Sequence, residues 1–455
     1  MYHMLIIGGS DAGISAALRI RELDIQTAVT VVVADAYPGF SICGLPFLLS
    51  GEVVDWHTLA HHKAEKFEEQ GIDLLLNQRA EMVFPETKIV RTISSKGQTR
   101  EITYDKLLIA TGAESTRPPI TGLDENGVFL LRWMADGFAM QEFIEKNNPR
   151  QCVIIGGGYI GLEMADAMTH RGLEVTILEF APEILTTMDP TLGRLIRAEL
   201  EAKGVTVITG KAVQRIEHKD NSLHVHTTTG EITTSDMVLV ATGVKPSTQL
   251  AQTAGIALGV AGAIQIDRKM NTDIPDILAA GDCAETWHHI LDSKVYMPLG
   301  TTAHKQGRVA GENMAGGSRA FQGSLGTQVV KVFDQIAAGT GLRDTPAARA
   351  GFDPLTVTFT TLDRNAYYQG AKEITICITG DRRTGKLLGA QIVGHRGSEI
   401  AKRIDIIAAS LYNGMQVEDL CDLDLSYTPP LSSPWDPVQQ AAMQWSIMLK
   451  GKSPV

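Results

Sequence analysis

The chain has 455 residues, 44% of them hydrophobic, and a formal net charge of −11. This length is enough for about three domains, and the 44 glycines suit an α/β protein with many tight turns. The negative charge repels nucleic acid and anionic membranes, and no apolar stretch reaches the roughly 20 residues of a membrane span, so we expect neither partner. The five scattered cysteines favour reduced thiols and a cytoplasmic location over a disulfide framework.

The first predicted element is an apolar strand that runs into a glycine-rich turn and then a helix from about Ile14 to Leu23. Glycines in such a turn let a pyrophosphate approach the backbone N–H groups at the helix N-terminus. A carboxylate at the end of the following strand can bind ribose hydroxyls. The pattern therefore predicts a dinucleotide site made by Gly8, Ser10, Asp11, Ala12, Gly13 and Asp35.

A second strand, turn and helix of the same kind begins at Cys152 and contains a full G-x-G-x-x-G. Glu179 ends the next strand, where an acid accepts hydrogen bonds from ribose hydroxyls and repels a 2′-phosphate. This favours NADH, although a nearby Arg or Lys could still accept NADPH. The predicted turn and acid are Gly156, Gly158, Gly161 and Glu179.

Further strands and helices are predicted along the rest of the chain. Residues 107–113 and 238–244 are apolar strands that each contain Ala-Thr-Gly, and 277–285 is a further strand with a Gly-Asp turn. Beyond Gly323 the apolar residues alternate, which predicts antiparallel strands. These strands are expected at 328–333, 355–361 and 373–379, with helices at 301–317, 399–411 and 438–449.

Together these features resemble the FAD-dependent pyridine nucleotide-disulphide oxidoreductases. The resemblance implies an α/β fold with two Rossmann-like, glutathione-reductase-like dinucleotide-binding domains, a C-terminal α+β dimerisation domain, a homodimer, and FAD and NADH as cofactors. The implied domains are a split FAD domain at 1–113 and 245–323, an NAD domain at 114–244 and a dimerisation domain at 324–455. The implied further contacts are Thr111, Gly112, Asp282, Thr302 and Ala303 for FAD, and Tyr159, Ile160, Glu163 and Gly243 for NAD.

Residues 40–47 contain one cysteine, Cys43, and resemble the single-cysteine branch of the family, with Gly39 and Phe47 as modest departures. That branch includes coenzyme A disulfide and persulfide reductases, NADH peroxidases and NADH oxidases. The resemblance makes Cys43 the redox nucleophile. We expect a helix that begins near Gly44 to lower the pKa of Cys43.

Two features of the chain favour a disulfide or persulfide substrate over a peroxide. Asp11 stands where the branch's peroxidases and oxidases carry His, and a carboxylate would oppose a nearby thiolate. Residues 426–437 resemble the segment that coenzyme A disulfide reductases extend into the partner's active site, where Tyr427 would assist the leaving thiolate. Tyr367 or Tyr368 would form a second such element; which of the two faces the site is left open.

The predicted function is therefore reduction of coenzyme A disulfide, a persulfide or a related small disulfide. The predicted substrate contacts are Arg19, Ser41, Ile42, His61 and Lys63. No metal is expected, because the adjacent His61 and His62 have no matching pair elsewhere in the sequence. Two alternatives stay open: an NADH oxidase or peroxidase that uses Cys43 sulfenic acid, and an electron-transfer or redox-signalling flavoprotein that serves a protein partner.

Overall fold

The computed structural model describes residues 2–61 and 64–451, so the predicted substrate contact Lys63 lies outside the described residues.

Up to residue 115 the strands are β1 (His3–Ile7), β2 (Ala28–Val32), β3 (Ile72–Leu75), β4 (Gln78–Phe84), β5 (Ile89–Ser94), β6 (Thr99–Thr103), β7 (Lys106–Ile109) and β8 (Ala113–Ser115). The strands that follow, up to residue 246, are β9 (Val128–Leu130), β10 (Gln151–Ile155), β11 (Glu174–Leu178), β12 (Thr206–Ile208), β13 (Val213–Lys219), β14 (Ser222–Thr227), β15 (Ile232–Ser235), β16 (Met237–Val240) and β17 (Val244–Pro246).

The last strands are β18 (Ile277–Ala279), β19 (Thr286–His288), β20 (Ser293–Val295), β21 (Gln328–Val332), β22 (Gln335–Gly341), β23 (Pro354–Leu362), β24 (Glu373–Asp381) and β25 (Leu387–His395). The α-helices are α1 (Asp11–Leu23), α2 (Leu45–Ser50), α3 (Ala64–Glu69), α4 (Met134–Asn147), α5 (Tyr159–His170), α6 (Pro190–Ala202), α7 (Gln249–Thr253), α8 (Gly300–Met314), α9 (Asp344–Arg349), α10 (Ile400–Tyr412) and α11 (Pro437–Leu449).

The first sheet is parallel, with strand order β18-β7-β1-β2-β3. Its central strand β1 is an apolar run buried along nearly all its length, as expected for a parallel strand covered on both faces. The strand β18 comes from residues 277–279 and pairs with β7, so the chain returns to this sheet after building a second one. The loop of β1 and the Gly-Asp turn after β18 therefore lie on the same sheet edge.

The second sheet repeats the arrangement with strand order β12-β11-β10-β16-β9, again parallel. The C-terminal sheet differs: it is antiparallel, with order β21-β22-β25-β24-β23, and α10 and α11 pack against it. The predicted fold class is confirmed by these three sheets. The residue bounds of the three domains stay a prediction.

The helices α1 and α8 pack unusually closely because α8 carries glycines at the contact. A Cβ atom added at Gly307 would lie 2.1 Å from the carbonyl oxygen of Ala12, and one at Gly311 would lie 2.4 Å from that of Ala16. Backbone of α8 thus touches backbone of α1, which no larger residue allows. This contact sets the position of the N-terminus of α8 next to the loop after β1.

We predict that Gly311→Ala lowers the free energy of unfolding. Alanine normally stabilises a helix by about 0.5–1 kcal/mol relative to glycine, but overpacking here should cost about 1–3 kcal/mol and outweigh that gain. Denaturant unfolding measures the change. The control is Lys305→Ala, an exposed position of α8 where the change should stay within about 0.5 kcal/mol. A Gly311→Ala protein as stable as the wild type would contradict the close contact.

Candidate functional site

The carboxyl ends of both parallel sheets open onto one continuous cleft of about 2020 Å³. Loops after β1, β2, β7 and β18 line it from the first sheet, and loops after β10, β11 and β16 line it from the second. This is the edge at which parallel α/β sheets bind ligands. A cleft shared by two such edges can hold two dinucleotides that meet between the sheets.

The loop after β1 is built for close backbone approach. Gly8 has φ of +123°, and a Cβ atom there would lie 2.1 Å from the carbonyl oxygen of Ala110. A Cβ atom at Gly13 would lie 1.9 Å from the carbonyl oxygen of Gly8, so Gly13 packs directly against the turn and does not itself line the cleft. The helix α1 begins at Asp11, three residues earlier than the sequence predicts, and its free N–H groups face the cleft.

Most residues predicted for FAD come together at this part of the cleft. Thr302 is buried and its hydroxyl contacts that of Ser324 at 3.0 Å, so like Gly13 it lies behind the cleft wall. The predicted FAD residues that line the cleft are Gly8, Ser10, Asp11, Ala12, Asp35, Thr111, Gly112, Asp282 and Ala303. The donors, the acid and the space fit a bound FAD.

Asp282 has a charged partner that the sequence did not reveal. The guanidinium of Arg132 donates to its carboxylate at 2.8 Å and also to the carbonyl oxygen of Ala113 at 3.1 Å. Both side chains of the pair are less than one-fifth exposed. Arg132 precedes α4 by two residues and belongs to no motif, so only the tertiary contact identifies it.

The loop after β10 repeats the geometry of the first. Gly156 has φ of +113°, and a Cβ atom at Gly161 would lie 2.0 Å from the carbonyl oxygen of Gly156. Glu179 accepts a hydrogen bond from the backbone N–H of Ala181 at 2.7 Å and another from that of Gly157. Gly161 lies behind the wall; the predicted NAD residues that line the cleft are Gly156, Gly158, Tyr159, Ile160, Glu163, Glu179 and Gly243.

Tyr159 and Glu163 lie on the first turns of α5, where the two halves of the cleft meet. The hydroxyl of Tyr159 accepts a hydrogen bond from that of Thr187 at 3.2 Å. Burial raises the pKa of Glu163 to about 7, against the attraction of the Lys331 ammonium. Glu163 can therefore exchange a proton near neutral pH.

Cys43 lies in a short 3₁₀ turn, Ile42–Gly44, directly before α2, and lines the cleft with Ser41 and Ile42. Its side chain is exposed at the cleft surface, so a small molecule can reach it. The expected lowering of its pKa is wrong. Although the side chain can be reached from the cleft, the protein around it partly excludes water, and this burial is the main effect that raises the pKa of Cys43. The negative charge of Asp11 raises it further, and the short helix α2 does not offset these effects.

Cys43 is the one cysteine of the five that lines the cleft, and all five are free. The remaining four lie elsewhere: Cys152, Cys283 and Cys377 are buried and Cys421 is partly buried. Burial raises the pKa of Cys152 to about 12, which keeps it a neutral thiol. Any sulfur that bonds to Cys43 during a reaction must therefore come from a ligand.

The tyrosines predicted for catalysis lie outside the cleft of their own chain and are exposed. The amide of Asn365 donates to the hydroxyl of Tyr427 at 3.0 Å and to that of Tyr367 at 3.2 Å. A hydrogen bond with Tyr427 raises the pKa of Tyr367. Tyr367, rather than Tyr368, thus shares a polar cluster with Tyr427, and Asn365 is a residue that the sequence analysis missed.

Of the four predicted substrate contacts within the described residues, three line the cleft and one does not. His61, Ser41 and Ile42 line the cleft. Arg19 does not; its guanidinium is 2.7 Å from carboxylate oxygens of both Glu22 and Glu312 on the outer face of α1 and α8. In the described part of the chain, no helix is both long and apolar enough to cross a membrane.

The chain belongs to the pyridine nucleotide-disulphide oxidoreductase family, which residues 2–307 match, and residues 327–437 match the dimerisation domain of the same family. It is therefore a flavoprotein oxidoreductase that uses FAD and NAD(P)H.

Three relatives show the range of the similarity. The chain is 39% identical to an NAD(P)H sulfur oxidoreductase (CoA-dependent) of Pyrococcus abyssi over 96% of both chains. It is 34% identical to an NADH oxidase of Methanocaldococcus jannaschii over 96% of this chain and 97% of that one. The solved structure of an NAD-dependent persulfide reductase from A. fulgidus superposes with a TM-score of 0.94 at 36% identity, over 99% of this chain and 84% of that one.

We predict that Arg132→Leu lowers the free energy of unfolding by about 1–3 kcal/mol, because it leaves the Asp282 carboxylate without its partner in the cleft wall. It should also weaken FAD retention, measured as flavin absorbance after gel filtration. The control is Arg117→Leu, which removes an exposed ion pair with Asp124 and should cost less than about 1 kcal/mol. Equal effects of the two changes would show that the Arg132 pair has no special role.

Proposed function

We propose that this chain is a homodimeric, NADH-dependent flavoprotein reductase of coenzyme A disulfide, a persulfide or a related small disulfide. The observation that carries the proposal is that Cys43 is the one cysteine of the five that lines the cleft, with Asp11 of the first half and Glu163 of the second both close enough to act on its sulfur. Because no second cysteine lines the cleft, the enzyme cannot store electrons in an internal disulfide. Its sulfur partner must be the substrate.

The reaction needs one bond exchange and one reduction. The Cys43 thiolate attacks a substrate disulfide, forms a mixed disulfide and releases the first thiolate, which takes up a proton. The chemistry that FAD supplies when bound is the transfer of two electrons from NADH to the mixed disulfide. The second thiol then leaves and Cys43 returns to its starting state.

Tyr427 suits the protonation of the departing thiolate if it comes from the partner subunit. It lies far along the chain from Cys43 and outside the cleft of its own chain, yet it is exposed and is held by Asn365. The dimerisation domain that carries it supports its approach to the other subunit. Tyr367 joins the same cluster and would act with it.

The nucleotide preference follows from Glu179. Its carboxylate lines the second half of the cleft and is fixed by two backbone N–H groups. A fixed negative charge at the ribose position opposes a 2′-phosphate, which favours NADH over NADPH.

The M. jannaschii relative makes NADH oxidase the second candidate function, with oxygen reduced through Cys43 sulfenic acid. Asp11 argues against it. It stands where the oxidases and peroxidases of the single-cysteine branch carry His, and an ionised carboxylate can only accept hydrogen bonds, so it has no proton to donate to a bound peroxide.

We predict that NADH consumption under anaerobic conditions is fastest with coenzyme A disulfide or a coenzyme A persulfide, slower with glutathione disulfide, and lost in Cys43→Ser. The reason is that the thiol must form the mixed disulfide. The matched control, Cys421→Ser, changes a thiol outside the cleft and should retain turnover. Oxygen- or peroxide-driven consumption that exceeds every disulfide rate would establish the oxidase instead, and full activity of Cys43→Ser with a protein acceptor would establish an electron-transfer role.

We predict that mixed dimers of Cys43→Ser and Tyr427→Phe chains, purified with two affinity tags, recover about half of the wild-type disulfide reductase activity. One of the two sites in such a dimer combines an intact Cys43 with an intact Tyr427 only if the tyrosine acts across the interface. Steady-state NADH consumption measures the recovery, and each homodimeric variant is its control. A mixed dimer no more active than the Tyr427→Phe homodimer would show that Tyr427 does not act in the partner's site.

A further inference from the structure

A histidine on α8 brings an unassigned set of metal-ligating atoms to the cleft. His304 lies in the first turns of α8, and its Nε2 is 3.5 Å from a carboxylate oxygen of Asp11. The ring of His61 lies edge-on to that of His304, with centroids 6.2 Å apart. One ligand atom from each of the three side chains lies within 4.8 Å of the other two. These are two imidazoles and a carboxylate, a donor set that suits Zn²⁺.

The separation of the donors is close to what a tetrahedral zinc ion needs. With ligand bonds of about 2.0–2.1 Å, neighbouring donors lie about 3.4 Å apart, so the His304–Asp11 pair is already at ligand spacing. The three ligand atoms lie within 4.8 Å of one another, so His61 must close by at most about 1.4 Å. His61 is exposed, and its backbone N–H donates to the carbonyl oxygen of Gly39 at 3.0 Å, which holds the residue beside the Cys43 loop.

The second nitrogen of His304 has the hydrogen bond that a metal-bound histidine requires. Its Nδ1 lies 2.8 Å from the hydroxyl oxygen of Ser15. When Nδ1 carries the proton and donates it to Ser15, Nε2 presents its lone pair toward Asp11. Such a partner behind the ring orients a ligating histidine and strengthens it as a donor.

Asp11 supplies the one carboxylate of the set. A bound dication would neutralise it directly, whereas the carboxylate of Asp282 already has a cationic partner in Arg132 at 2.8 Å.

We propose that Asp11, His61 and His304 form a binding site for a zinc-class divalent metal ion in the wall of the Cys43 cleft. The sequence predicted no metal because His61 has no matching ligand pair along the chain, but folding supplies ligands from two distant segments. The loop after β1 would hold FAD through its backbone N–H groups, and these leave the Asp11 carboxylate available. A metal at this position shares the cleft with Cys43 and restricts access of a substrate to its sulfur.

The test is equilibrium dialysis of the chelator-treated, FAD-loaded, oxidised protein against Zn²⁺. We expect one zinc ion per chain in the wild type. His304→Gln should weaken binding by more than about tenfold, and Ser15→Ala by about tenfold. The control is His57→Gln, which removes a more exposed histidine that lies 2.7 Å from a carboxylate oxygen of Asp55. This variant should bind zinc as the wild type does. Flavin absorbance confirms that each variant is folded and loaded.

A second variant separates this site from simple capture of zinc by a thiol. Cys43→Ser should keep one zinc ion per chain, and zinc should slow alkylation of Cys43 by iodoacetamide in the wild type but not in His304→Gln. Wild-type affinity in His304→Gln would overturn the proposal, as would loss of binding in Cys43→Ser alone. Dialysis requires no turnover, so its outcome is independent of whether the protein reduces disulfides.

Discussion

The contact of α8 with α1 is the constraint on which the rest of the site depends. Glycines at 307 and 311 let the two backbones touch, and a Cβ atom added at Gly281 would lie only 2.9 Å from that of Ala12. These contacts join a segment near residue 300 to the first loop of the chain. The pairing of β18 with β7 brings Asp282 to the same cleft as Gly8, and the contact of α8 with α1 brings His304 to Asp11.

The cleft presents one thiol in negative surroundings. Burial and the negative charges of Asp11 and Glu163 raise the pKa of Cys43. The positive charge of Arg132 lowers it, although Arg132 is itself paired with the Asp282 carboxylate. The protein alone therefore does not hold Cys43 as a strongly stabilised thiolate. Its reactivity depends on what fills the cleft, which links thiol chemistry to cofactor and substrate binding. Glu163, whose pKa is raised to about 7, lines the same cleft, so the negative charge that it places near Cys43 changes around neutral pH.

Local sequence patterns predicted the two glycine-rich loops well because a tight turn between a strand and a helix is set by neighbouring residues. Gly8 and Gly156 have positive φ angles that glycine adopts freely, and each ends a buried strand. Glu179 directly follows β11 and Asp35 lies three residues beyond β2, and parallel pairing brings each acid to the same sheet edge as its glycine-rich loop. Three of the five antiparallel C-terminal strands, β21, β23 and β24, were predicted to within two residues, whereas β22 and β25 were not predicted.

The features that the sequence analysis missed all depend on contacts between distant segments. Arg132 and Asp282 are 150 positions apart, and Asn365 and Tyr427 are 62 apart. No periodicity or motif encodes such pairs. The direction of the pKa of Cys43 was predicted wrongly for the same reason: the nearby helix is visible in the sequence, but the burial and the carboxylates that outweigh it are not.

The sequence by itself determined the strand–turn–helix units, the acid that follows the second strand of each unit, and the presence of a lone cysteine in its motif, because each is set by residues close together in the chain. Only the tertiary structure decided which charges surround Cys43, which tyrosine joins Tyr427, and that Asp11, His61 and His304 meet. The physical reason is that electrostatic effects and ligand sets depend on distance in space, which the packing of α8 on α1 and the return of β18 to the first sheet establish.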